Sequence, residues 1–180
     1  MRVADPFDLQ RFVDTQAPVY EQVRRELKVG RKQSHWMWFI FPQIAGLGQS
    51  PMSVRFAIAS LEETKAYLAH PVLGPRLKEC ARLALDVEGK TAREIFGSID
   101  ELKFRSSMTL FAQAAPDEEL FQRCLDKYFA GNPDPATLAR LWRFGAIIRF
   151  PNESIQRDES LVHACLRPTP SPWRRAPVAG

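Results

Sequence analysis

Nowhere does this chain of 180 residues carry an apolar run long enough to cross a bilayer. Its most apolar stretch, Trp36 to Phe41, covers six residues, where a spanning helix requires about 20. The start of the chain, MRVADP, lacks the apolar core of a signal peptide. Cysteine is scarce too: Cys80, Cys124 and Cys165 are odd in number and far apart. That spacing fits neither a disulfide framework nor a zinc ligand set, so reduced thiols and a cytoplasmic location are expected. An excess of one charge is also missing. The formal net charge is +4 and the pI about 9.1, and no segment gathers Lys and Arg into a dense stripe, so neither nucleic acid nor membrane is an expected partner. Walker, HExxH, EF-hand and GxSxG patterns are absent, and no metal site or cofactor is expected. The order Lys103 then Ser107 reverses Ser-x-x-Lys nucleophile logic.

What is present reads as one helical domain. A hydrophobic share of 45%, with twelve Phe and four Trp, is enough to build a single core at this length. Helix punctuation recurs along the chain. Asp8 can cap a helix carrying Leu9, Phe12 and Val13, Pro18 divides it from a continuation through Val23 and Leu27, and Gly30 is a natural stop. Ser60 with Glu63, Thr91 with Glu94 and Ser98 with Glu101 have capping-box spacing. His70 and Pro71 mark a break, with His70 expected to cap or turn. Helices follow from about Ile99 to Ala115 and from about Asp117 to Ala130. A last one begins at Asp134 and Pro135, a cap followed by a proline at the first helical position. Strand-like alternation is confined to Ala146–Phe150. The spacing predicts an all-α, compact, multihelical bundle of about seven short helices over residues 5–142, with a C-terminal extension over 143–167. Four prolines between Pro168 and Gly180 predict a flexible tail.

Two segments depart from what packing alone requires. In GRKQSHWMWFIFPQ, residues 30–43, aromatic side chains surround His35 and are flanked by Lys32, Ser34 and Gln43, a composition that suits a pocket with a few polar groups on apolar walls. There His35 is either an acid/base or a buried imidazole bonded to backbone, and Trp36 and Trp38 are either ligand walls or core. In the turn that follows, Gly46 and Gly48 permit a tight bend and Ser50 can cap a helix. The free N–H groups there could hold a phosphate or carboxylate, or the segment is a plain capped turn. The second segment is the helix around Lys103. Ile99, Leu102 and Leu110 share one apolar arc, into which Lys103 and Ser106 project, with Ser107 at its edge. Those polar side chains form a structural cluster, or they face a ligand.

Several stretches resemble the family called domain of unknown function 1810. They are DPFDLQRFV from Asp5, the 30–43 string, GLGQS from Gly46, YLAHPVLGPRL from Tyr67 and KFRSSMTLF from Lys103. The resemblance spans about residues 5–142 and implies a compact multihelical fold found in small bacterial proteins. It implies no activity, and the shared pattern stops near Leu141.

The resulting expectation is a small-molecule-binding protein, or an enzyme, with a pocket for a phosphate-bearing or nucleotide-like ligand. In that reading His35 and Lys103 are catalytic, and Lys32, Ser34, Trp36, Trp38, Gln43, Gly46, Gly48, Ser50, Ser106 and Ser107 bind the ligand. The alternative is a non-catalytic protein-interaction module with its Trp side chains exposed as a patch. The two unusual segments lead to one geometric expectation: the His35 segment packs against the Lys103 helix, and together they line one pocket.

Overall fold

The structure, a computed structural model, describes residues 5–143. These carry ten α-helices and no strand: α1 (Gln10–Gln16), α2 (Tyr20–Val29), α3 (Met37–Ile40), α4 (Pro51–Arg55), α5 (Leu61–Ala69), α6 (Leu73–Asp86), α7 (Ala92–Phe96), α8 (Asp100–Ala114), α9 (Glu119–Phe129) and α10 (Pro135–Arg143). The fold is all-α. Seven of these helices have seven residues or more; α3, α4 and α7 are single-turn pieces whose four or five residues leave too short a period to read from sequence. The alternation at 146–150, the extension after its first residue Arg143, and the tail lie outside the described residues. Among the described residues no helix is long and apolar enough to cross a membrane.

The caps show which local signals survive tertiary packing. Thr91 and Glu94 form the full reciprocal box at the start of α7. Ser60 caps α5 by accepting from the Glu63 N–H, but the Glu63 carboxylate turns to Ala59 N–H and Arg11 instead of closing the box. Asp134 accepts from Thr137 N–H at 3.0 Å and opens α10. His70 Nδ1 accepts from the Val72 and Leu73 N–H groups, the capping role expected of it. Two expectations need correction. Asp5, not Asp8, receives the N–H groups of Leu9 and Gln10, each at 2.9 Å. Ser98 does not cap α8, because Ile99 already has helical angles and Glu101 pairs with Arg93 instead.

α8 lies at the centre, packed against α9, α5, α7, α10 and α3. Its buried stripe holds Phe104, Ser107, Met108 and Phe111, all with no exposed surface. This corrects the arc read from sequence, since Ile99 and Leu102 are 71% and 59% exposed. Around α8 the core is aromatic. Phe104 stacks on Phe96 with ring centres 4.6 Å apart and meets the edge of Phe41 at 5.0 Å. Such pairs add about 0.5–1.5 kcal/mol each beyond their buried area. Phe41 thereby ties the end of α3 to α8, and one isolated parallel bridge, Ile44 to Ile58, fixes the chain that follows. Cys80 and Cys124 are buried, and burial pushes both thiols up to about 12, which leaves them as inert core residues.

Candidate functional site

The loop between α2 and α3 is held by one acid. Glu26 falls three residues after Val23 and one before Leu27 on the buried stripe of α2. Its carboxylate accepts from Gln33 N–H at 2.8 Å, Ser34 N–H at 3.1 Å, Ser34 Oγ at 2.6 Å and Trp36 Nε1 at 2.7 Å. Gln22 Nε2 adds a fifth donor at 3.1 Å. Burial alone would raise this carboxyl, but those hydrogen bonds outweigh it and hold the group at about 2. Gly30, at φ 65°, ends α2 in the left-handed conformation, and Lys32 N–H donates to the Ile95 carbonyl at 2.8 Å. The loop is thereby fixed on both sides of Lys32.

Lys32 reaches the start of α8. Its Nζ lies 2.7 Å from Asp100 Oδ2, while Lys103 Nζ donates to Asp100 Oδ1 at 2.7 Å. Two ammoniums therefore share one carboxylate. Burial would raise Asp100, but the bonds from Lys103 and Lys32 outweigh it and keep the group below its ordinary value. Each lysine also covers an indole, Lys103 over Trp38 at 4.5 Å and Lys32 over Trp36 at 5.3 Å. The side chains are mostly buried, with 10% of Lys32, 16% of Asp100 and 18% of Lys103 exposed. Beside them, Trp38 Nε1 and Ser107 Oγ are buried with no hydrogen-bond partner among the described residues. Ser107 stands one helical turn beyond Lys103, on the same face of α8. Leaving such a group unpaired costs about 1–3 kcal/mol.

The His35 segment and the Lys103 helix are thus in contact, through Lys32, Trp38 and Asp100. His35 itself is exposed and makes no hydrogen bond or ion pair among the described residues. Ser34 and Trp36 serve Glu26. Gln43 is half-buried, and its carbonyl accepts from the Ile58 N–H. Gly46, at φ 87°, lies against the guanidinium of Arg140, with no room for a side chain between them. Gly48 is similarly crowded by Ser53. Ser50 caps the five-residue α4 through Ser53 N–H, so the glycine turn is built as a capped turn. Ser106 donates to Leu102 O and Asp134 Oδ2, joining α8 to α10.

Asp100 and Glu26 were not singled out by sequence. An acid in the first turn of a helix reads as a complement to the helix dipole, although Asp100 stands three residues before Lys103, a pairing distance. Glu26 interrupts an apolar stripe, the same signal that drew attention to Lys103. A shallow groove of about 300 Å³, lined by Gln22, Arg25, Glu26, Val29, Arg31 and Gln33, lies beside the loop and is lined by neither lysine. No group of three His, Cys, Asp or Glu side chains comes together as a metal set among the described residues.

The conserved hypothetical protein Rv1873 from Mycobacterium tuberculosis, known from a crystal structure, is 56% identical and superposes with a TM-score of 0.76. The match covers 77% of this chain and 99% of that one. No curated protein matches. A family model described as a protein of unknown function, DUF1810, matches residues 6–141 and so takes in α1 to α9, the lysine-bearing loop and nearly all of α10. The chain belongs to the DUF1810 family.

Proposed function

We propose that this protein binds a phosphate-bearing small molecule at the Lys32–Asp100–Lys103 cluster. The observation that carries this reading is an excess of donors over acceptors. Each ammonium has three N–H groups and gives one to Asp100, while Trp38 Nε1 and Ser107 Oγ have none to serve. A phosphoryl group brings negative charge and several acceptor oxygens, which complements two cations and neutral donors at low exposure. Lys103 and Lys32 hold the charge. His35 is exposed and makes no hydrogen bond or ion pair among the described residues, and the role proposed for the lysine cluster is binding. The alternative, a protein-interaction module, rests on exposure of the Trp side chains of the aromatic segment 30–43; Trp142, which is 56% exposed, lies on α10, outside that segment. Trp36 is 1% exposed, and Trp38 lies beneath Lys103.

A thermal-shift comparison tests the reading. Nucleoside monophosphates and sugar phosphates are each paired with the unphosphorylated compound. A ligand at 100 times its Kd stabilises by about 2.7 kcal/mol, which moves the melting temperature by several degrees. The phosphorylated member of at least one pair raises the melting temperature and its partner does not. Lys103→Met keeps the fold and loses the shift. Equal shifts within every pair, or an undiminished shift in the variant, would contradict the proposal.

A further inference from the structure

The surface next to the lysine pair is apolar. Ile99 and Leu102 are 71% and 59% exposed. A single exposed aliphatic side chain carries no message, but these two adjoin each other and the cluster. Ile99 has helical angles, φ −84° and ψ −44°, so helical spacing applies from it onward. It stands three residues before Leu102 and four before Lys103, the two separations that make neighbours on a helix surface. Chain direction strengthens the arrangement. Helical side chains lean toward the N-terminus, and the Lys103 side chain runs back to Asp100, the residue next to Ile99. Helical spacing therefore places Ile99 beside Lys103, and Leu102 beside Ile99, on the exposed face of α8.

Resting on the proposed phosphate site, we infer that the ligand is an amphiphilic phosphate ester, bound as a single molecule. Its phosphoryl oxygens face Lys32 and Lys103, and its alkyl or acyl body lies along Ile99 and Leu102. Charge complementarity sets the head, because two ammoniums outnumber the one carboxylate between them. The strip sets the body. Aliphatic side chains offer no donor or acceptor to a hydroxyl-rich body such as a sugar, and gain by covering an apolar one.

Isothermal titration of the native chain with methyl phosphate and with n-hexyl phosphate, the latter below its aggregation concentration, tests this. A fully buried methylene contributes about fourfold in affinity, so partial cover of a hexyl chain by two side chains predicts a gain of at least about tenfold over methyl phosphate. The double variant Ile99→Ser, Leu102→Ser loses that dependence on chain length, its two affinities agreeing within about twofold. Both residues are exposed, and the chain-length series on the native protein stands even if the variant folds poorly. Equal affinity of the native chain for the two esters overturns the inference while leaving the phosphate site intact. Binding of neither ester overturns the phosphate site itself. An undiminished hexyl preference in the double variant overturns the inference, as does binding to phosphatidate vesicles without binding of the monomeric ester. Sedimentation showing a dimer that the double substitution dissociates would assign the strip to a second copy of the chain, and so overturn it too.

Discussion

At the scale of single residues, the loop that presents Lys32 depends on a carboxylate filled by neutral donors. Replacing Glu26 by Gln removes acceptor capacity facing the N–H groups of Gln33, Ser34 and Trp36. The expected loss is about 3 kcal/mol at neutral pH, from the unpaired donors and the depressed carboxyl together. The sign of the pH dependence follows from the depression. A group at about 2 in the folded chain against an ordinary 4.5 adds stability above pH 4.5, and loses it as pH falls toward 2. Urea unfolding of the native chain and of Glu26→Gln at a series of pH values checks this. The gap between them narrows below pH 4.5, and a gap constant from pH 6 to pH 2 would contradict the account. Lys103 and Ser106 stand out in the sequence against an arc of Ile99, Leu102 and Leu110, with Ser107 at its edge, but the buried stripe of α8 runs instead through Phe104, Ser107, Met108 and Phe111. Asp100, which pairs Lys103 with Lys32, is not legible there, since nothing in the local pattern separates an acid that pairs two lysines from one that faces solvent.

At the scale of elements, close approach and caps decide the geometry. Gly74 is buried near the start of α6, where a Cβ would collide with the carbonyl oxygen of Leu68 at the end of α5. A backbone atom cannot swing aside, so Gly74→Ala separates the two helices. It is expected to cost at least about 2 kcal/mol, read as a lowered denaturant midpoint. Wild-type stability in that variant would contradict the packing described. Thr91→Ala breaks the reciprocal box on α7 and is expected to cost about 1 kcal/mol in the same assay; no measurable loss would contradict the cap. Sequence spacing found the caps at Thr91 and Asp134 because there the local bonds are also the best available in the fold. It failed at Ser98, where Arg93 competes for Glu101. It failed as well on the buried side of α8, because Ile99 and Leu102 are apolar residues left facing solvent. Phe104, Met108 and Phe111 define the true stripe, and nothing in the local pattern ranks them above Ile99 and Leu102.

At the scale of the whole molecule, the helical class was legible because capping residues and breakers recur at helix length and strand alternation is nearly absent. The number of helices was less so. The four-residue α3 and five-residue α7 are too short to show a period; Phe41, just after α3, and Phe96, at the end of α7, pack on Phe104, and α7 is opened by the Thr91–Glu94 box. The proline density of 168–180 predicts that a chain ending at Arg167 keeps its melting temperature within about 2 °C; a larger drop in a melting curve would contradict it. The central claim concerns the lysine cluster, and the intact protein offers a direct probe of it. Four tryptophans give four indole N–H signals in a nitrogen-proton NMR spectrum, and Trp38→Phe and Trp36→Phe assign two of them. Trp36 Nε1 is already held by Glu26 at 2.7 Å, whereas Trp38 Nε1 has no partner among the described residues. Titrating the native chain with methyl phosphate should shift the Trp38 indole proton downfield in a saturable way, as a charge-assisted hydrogen bond forms, and leave that of Trp36 nearly still. A Trp38 signal unmoved at high phosphate, or moved no more than that of Trp36, would contradict the site.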